Sequence, residues 1–125
     1  MAPTVEFIVI SNQNYTGVKM AVEDVSDADF EDKVIRSKEP VVVDLWAAWC
    51  GPCRLYGPVV EEVSKGYEGK VKFVKLNVDE NEKTAMRFNV SSIPTTLLIK
   101  GGQLKAMNIG AIPKEALKKW ISGNI

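Results

Sequence analysis

The 125-residue chain contains two cysteines, Cys50 and Cys53, and only two residues separate them. A pair at that spacing can open and close an internal disulfide, or it can supply half of a metal site. A dithiol carrier needs one thiolate that attacks a disulfide and a second thiol close enough to resolve the mixed disulfide. As a structural staple the bridge would be poor, because stabilisation by cross-linking grows with the length of the closed loop. A secreted disulfide scaffold would use more cysteines at wider spacing. Structural zinc and iron–sulfur sites normally take four sulfur or nitrogen ligands. With two cysteines and no histidine, a metal reading requires a site shared between subunits. The missing histidines also exclude a Ser-His-Asp triad, a Cys-His hydrolase and any His-ligated metal. Neither a metal nor a cofactor is expected.

The surrounding elements decide what the sulfurs can do. Val41-Val42-Val43-Asp44-Leu45-Trp46 is a nearly continuous apolar, β-branched run, as expected of a strand buried on both faces. Ala47 to Gly51 forms a short loop, and Pro52 suits the first turn of a helix running to about Gly66. Leu55, Val59, Val60 and Val63 are expected on its inner side, with a bend at Gly57-Pro58. Cys50 then sits at the helix N-terminus, where unpaired N–H groups and the macrodipole favour a thiolate. Cys53 lies about one turn inside. Cys50 is thus the attacking residue and Cys53 the resolving one. Gly51-Pro52 places no cation between them, which argues for a reductant over an oxidant.

Upstream, Ser26 with Asp29 reads as the cap of a helix carrying Phe30, Val34 and Ile35, ending by Glu39-Pro40. Downstream, Val71–Val78 reads as a strand, and Asp79 or Asn81 as the cap of a short helix ending near Phe88. Thr95–Lys100 and Gln103–Ile109 form a hairpin through Gly101-Gly102. Pro113 opens a last helix with Leu117, Trp120 and Ile121 at helical spacing. The order is helix, strand, helix, strand, helix, strand, strand, helix. It predicts an α/β domain with a mixed sheet and helices on both faces. Residues 1–20 stand apart as an N-terminal extension, with a candidate strand over Val5–Ile10 and a turn at Ser11–Asn14.

The stretch Trp46-Ala47-Ala48-Trp49-Cys50-Gly51-Pro52-Cys53 closely resembles the active site of the thioredoxin family. The likeness continues through Val43-Asp44, Lys75-Leu76-Asn77-Val78-Asp79, Ile93-Pro94-Thr95, Gly102 and Gly110-Ala111. It covers roughly residues 22–125, so a thioredoxin domain is expected over residues 21–125. The resemblance implies that Asp44 is a buried carboxyl that takes or relays the proton of the resolving thiol, and that Lys75 lies near it. Burial would raise the carboxyl pKa toward the working pH, and the lysine would limit the rise. Pro94 matches the family's cis-proline opposite the cysteines, with the Ile93 backbone offered to an incoming strand. Trp49, Gly51, Pro52, Ser92, Ile93, Pro94, Gly110 and Ala111 are expected to line a shallow, mostly uncharged groove. Trp46 should pack behind the site, and Trp120 in the core.

Some residues depart from the family pattern. Ala48 stands where relatives often carry a polar residue, Tyr56-Gly57 replaces an aliphatic residue and alanine, and Ser91-Ser92 replaces a basic-glycine pair. Packing is the expected role of Tyr56.

Sixteen basic residues balance sixteen acidic ones, so no global field draws the chain to nucleic acid or an anionic membrane. No run reaches the length of a membrane helix, and Phe7–Ile10 lacks the basic flank of a secretory signal. The sequence therefore reads as a cytoplasmic monomer. The resemblance implies disulfide-containing protein substrates and a thioredoxin reductase as partners. The competing readings are an oxidant or isomerase on the same fold, and a binding module that works without its thiols.

Overall fold

A computed structural model describes residues 21–125. The expected strand Val5–Ile10 and the turn after it lie outside the described residues. The sheet is built around the apolar run seen in the sequence. Strand β2 (Val41–Trp46) is buried from Val41 through Leu45. On one side of it lies β3 (Lys72–Asn77), with β1 (Val22–Asp24) at the edge; on the other lie β4 (Thr95–Lys100) and β5 (Gln103–Ile109), giving the order β1-β3-β2-β4-β5. β1 and β2 run parallel to β3, whereas β4 is antiparallel to β2 and β5 to β4.

Because side chains alternate across a strand, β2 feeds two cores. Val42 joins Phe73 and Leu98 beneath α1 (Gly51–Ser64) and α3 (Lys114–Asn124), which contribute Tyr56, Val60, Val63, Leu117 and Ile121. Val41, Val43 and Leu45 join Val74, Leu76, Leu97 and Ile99 on the opposite face, under Phe30 and Val34. Helices thus cover both faces, as expected. Trp120 packs half-buried against the first core. Leu55 does not turn inward as predicted: it is 78% exposed. The inner stripe of α1 runs through Cys53, Tyr56, Val60 and Val63, a spacing that leaves Leu55 outside.

β1 was not anticipated. Only Val22 of its three residues is buried, and its place comes from parallel pairing of Val22 with Phe73, a contact that local pattern does not encode. Next, Asp29 accepts from the Ser26 backbone N–H at 2.7 Å and the Ser26 hydroxyl at 3.2 Å, but Ser26 is not the cap expected: the N-cap position falls on Phe30, with no side-chain capping bond. The helix there is shorter and wider than expected, a π-helical segment over Glu31–Ile35. The turn joining β4 and β5 places Gly101 at φ 61° and Gly102 at φ 79°, the left-handed conformation that a tight hairpin demands. A side chain at Gly102 would also meet the Ile35 carbonyl oxygen at 3.2 Å, so the hairpin packs closely on that helical segment.

The short helix α2 (Glu82–Arg87) has Asn81 at its N-cap position, but the Asn81 side chain makes no capping bond. Asp27 supplies the cap from a distant part of the chain. Its carboxylate accepts from the backbone N–H of Thr84 at 2.9 Å and Lys83 at 3.2 Å, and from the Thr84 hydroxyl at 2.6 Å. In return, Asn81 Oδ1 accepts from the Asp27 N–H at 2.8 Å. Asp27→Ala should therefore lower unfolding stability by about 1–2 kcal/mol, read from the midpoint of urea denaturation. An unchanged midpoint would show that the cap contributes nothing net.

Candidate active site

The loop leaving β2 delivers Cys50 to the N-cap of α1, in extended backbone geometry, with Pro52 in the first turn. Cys50 Sγ accepts a hydrogen bond from the Cys53 backbone N–H at 3.2 Å. That N–H is one of the donors that a helix start leaves without an intrahelical partner. The two cysteines are joined as a disulfide, with Cα atoms 5.2 Å apart. Exposure hardly separates them, at 5% for Cys50 and 4% for Cys53. What distinguishes them is position, since only Cys50 sits at the cap.

The sulfurs pack with Ala47, Trp46, Val78 and Ile93. Opposite them the Ile93–Pro94 peptide is cis. The Ile93 carbonyl oxygen lies 3.9 Å from Cys50 Sγ. Pro94 is buried and its carbonyl accepts from the Gly110 N–H at 2.8 Å, which brings the end of β5 to the same rim. Ser92, Pro52 and Ala111 are exposed, and Gly51, Ile93 and Gly110 half-buried. Trp49 is 68% exposed, and its indole N–H donates to Asp79 Oδ2 at 2.8 Å, fixing the ring beside the cysteines. The rim is thus assembled from three chain segments, and the side chains of the eight expected groove residues are uncharged.

Asp44 is 3% exposed in the middle of β2, the strand whose exit loop carries Cys50. Its Oδ1 has no hydrogen-bond partner among the described residues. Burial pushes its pKa from the ordinary 3.8 up to about 7, against the opposing charge of Lys75. Lys75 is Asp44's direct neighbour across the β2–β3 ladder, half-buried, with Nζ 5.9 Å from the centre of the Trp46 ring. Trp46 itself is half-buried and packs against the cysteine cluster, as expected. The sequence missed Thr96, which is fully buried across β4 from Asp44 and hydrogen-bonded to Tyr56 at 2.7 Å. A hydroxyl inside the apolar strand Thr95–Lys100 was the available signal, but only strand register attaches it to Asp44.

A disulfide whose first sulfur caps a helix, beside a cis X-Pro bend and at the end of a strand that buries a titratable carboxyl, is a site for thiol–disulfide exchange. A cleft of about 860 Å³ lies elsewhere, lined by β1, β3 and Ser64 to Val71, and contains neither cysteine. The sulfurs instead face an open rim, which suits another protein chain better than a small enclosed ligand.

The thioredoxin family model matches residues 21–123. Over 97 residues the chain is 56% identical to thioredoxin from Synechocystis sp., covering 78% of this chain and 91% of that protein. It is 50% identical over 101 residues to thioredoxin from Haemophilus influenzae, covering 81% of this chain and 94% of that one. Identity to thioredoxin M4, chloroplastic, of Arabidopsis thaliana is 43% over 114 residues, or 91% of this chain and 59% of that protein. The chain belongs to the thioredoxin family. It is a thiol–disulfide oxidoreductase with the thioredoxin fold, and the expected class of activity, protein-disulfide reduction, stands with it. Family members act on disulfide substrates and are reduced by a thioredoxin reductase. Among the described residues no helix is long and apolar enough to cross a membrane.

Asp44 makes stability depend on pH with a definite sign. Its folded-state pKa, about 7, lies above the ordinary 3.8, so between those values the folded chain holds more protons than the unfolded one. Asp44's contribution to stability is then fullest near and below pH 4, falls as pH rises to about 7, and levels off above. The loss amounts to roughly 4 kcal/mol on full ionisation. Asp44→Asn should remove this slope and stabilise the protein at pH 8 by several kcal/mol. Denaturant midpoints at pH 5 and pH 8 check both statements.

Proposed function

We propose that residues 21–125 form a monomeric cytoplasmic thioredoxin domain that reduces disulfides in other proteins, with residues 1–20 as an extension to it. Electrons enter from a thioredoxin reductase. The Cys50 thiolate, held at the helix tip by the Cys53 N–H, attacks one sulfur of a substrate disulfide. A Cys50–substrate bond forms, and the first substrate sulfur leaves as a thiolate that takes a proton from water. The substrate strand lies in the rim made by Trp49, Gly51, Pro52, Ser92, Ile93, Pro94, Gly110 and Ala111, bonded to the Ile93 backbone.

Cys53 then gives its proton to the Asp44 carboxylate and attacks the Cys50 sulfur. The second substrate sulfur leaves, the Cys50–Cys53 bridge closes, and two electrons have passed to the substrate. Lys75 holds Asp44 nearer ionisation than burial alone would, which keeps the base available at neutral pH. The observation that carries this reading is the position of Cys50 as N-cap of α1, with Cys53 inside the first turn.

Cys53→Ser should stall the reaction at the first bond and accumulate covalent complexes through Cys50, visible on non-reducing gels and assignable by mass spectrometry. Complexes that form through Cys53 in Cys50→Ser, and not through Cys50 in Cys53→Ser, would reverse the assignment. Asp44→Asn should slow resolution of the mixed disulfide by about 100-fold, the lower end of what a positioned acid–base group contributes. It should also flatten the rate between pH 6 and 8. An unaltered pH profile would remove Asp44 from the proton path.

A further inference from the structure

Polar residues form one row across the sheet. Asp24 of β1 pairs with Lys75 of β3, Lys75 with Asp44 of β2, Asp44 with Thr96 of β4, and Thr96 with Asn108 of β5. Directly opposed residues point to the same face with Cβ atoms about 5 Å apart. The rows on that face toward the other end of the sheet are apolar, with Val42, Phe73 and Leu98. Within the polar row, Thr96 is 0% exposed and its hydroxyl lies 2.7 Å from that of Tyr56, itself 1% exposed on α1. A buried tyrosine that only filled space would leave its hydroxyl a liability; a phenylalanine would pack without that cost.

Either hydroxyl can donate in that bond, and the more acidic phenol is the better donor. With Tyr56 as donor the Thr96 proton is uncommitted, on the side chain paired with Asp44 across the ladder; Asp44 Oδ1 has no partner among the described residues, so the donation belongs to the ionised carboxylate and is not formed here. We propose that Thr96 is a positioning residue for Asp44, turned by Tyr56 so that its hydroxyl supports the carboxylate form needed to take the Cys53 proton. The groups around Asp44 are Lys75 from β3 with Asp24 beyond it, Tyr56 from α1, and Thr96 from β4, with neutral Asn108 next along from β5. α3 meets the same face through Leu117 and Ile121. Lys75 acts on Asp44 by charge alone, which leaves the hydroxyl pair as the neighbouring source of a donated proton.

This inference rests on the role given to Asp44 above. The full-length reduced protein carries the test, with the Asp44 carboxyl followed by ¹³C NMR against pH alongside the rate of mixed-disulfide resolution. Thr96→Val should raise the Asp44 midpoint by about one unit, the size of a lost hydrogen bond to a charged group. Thr96→Ser should restore it. Tyr56→Phe, which keeps the ring and its packing, should move the midpoint in the same direction by a smaller amount. Equal midpoints in wild type, Thr96→Val and Tyr56→Phe would overturn the proposal and leave the pair as packing alone. Because the carboxyl signal reports Asp44 directly, a midpoint that moves while resolution does not would uphold the hydroxyl effect and count against Asp44 as the base.

Discussion

The structure turns on one conflict, the placing of a carboxyl group inside the central strand of the sheet. β2 is otherwise the most thoroughly buried element, with Val41, Val42, Val43 and Leu45 at 0% exposure. An ionised Asp44 there forfeits hydration that its neighbours do not replace, since Oδ1 finds no partner among the described residues. Burial therefore drives the group toward its neutral form, and Lys75 offsets that only in part. The chain gives up stability at neutral pH to hold a titratable group in the strand that leads to the cysteines, a pattern typical of functional sites.

The rest of the fold supplies what that group serves. β2 ends in a loop that places Cys50 at a helix cap, and the cap donor belongs to Cys53 itself. The bend of the chain through Ile93-Pro94 and the end of β5 complete the rim, with the Gly110 N–H bonded to Pro94. The cysteine pair, the Ile93-Pro94 stretch and the end of β5 are thus separate segments that the sheet holds together. Inner and outer sulfur differ by their place along α1 and hardly by exposure, so helix geometry must account for any difference in their reactivity.

Much of this was legible in the sequence because it is local. The apolar run Val41–Trp46, the cysteine spacing, Pro52 in the first turn and the Gly101-Gly102 hairpin are each written in consecutive residues. β4 and β5 occupy the spans their patterns assigned. What escaped depends on contacts between distant segments. β1 is three residues with one buried side chain and exists through pairing with β3. The cap of α2 comes from Asp27, more than fifty residues earlier. Leu55 was assigned to the core because an apolar residue in a helix suggests an inner face, yet Cys53 and Tyr56 already define that stripe. Thr96 is ordinary in its own strand and acquires meaning only through the register that sets it beside Asp44. Tyr56 was read as packing, and it does pack, but its hydroxyl is engaged as well.

In the mechanism proposed above, the fold, and not the CxxC sequence alone, makes Cys50 a nucleophile. Alkylation of the reduced protein by iodoacetamide at pH 7, compared with an unstructured peptide spanning Trp49–Cys53, tests it most directly. The account predicts that Cys50 in the folded chain reacts at least about ten times faster than either peptide thiol, as a thiolate favoured by a helix N-terminus should, while Cys53 stays unmodified. Equal rates in protein and peptide, or alkylation of Cys53 first, would contradict it.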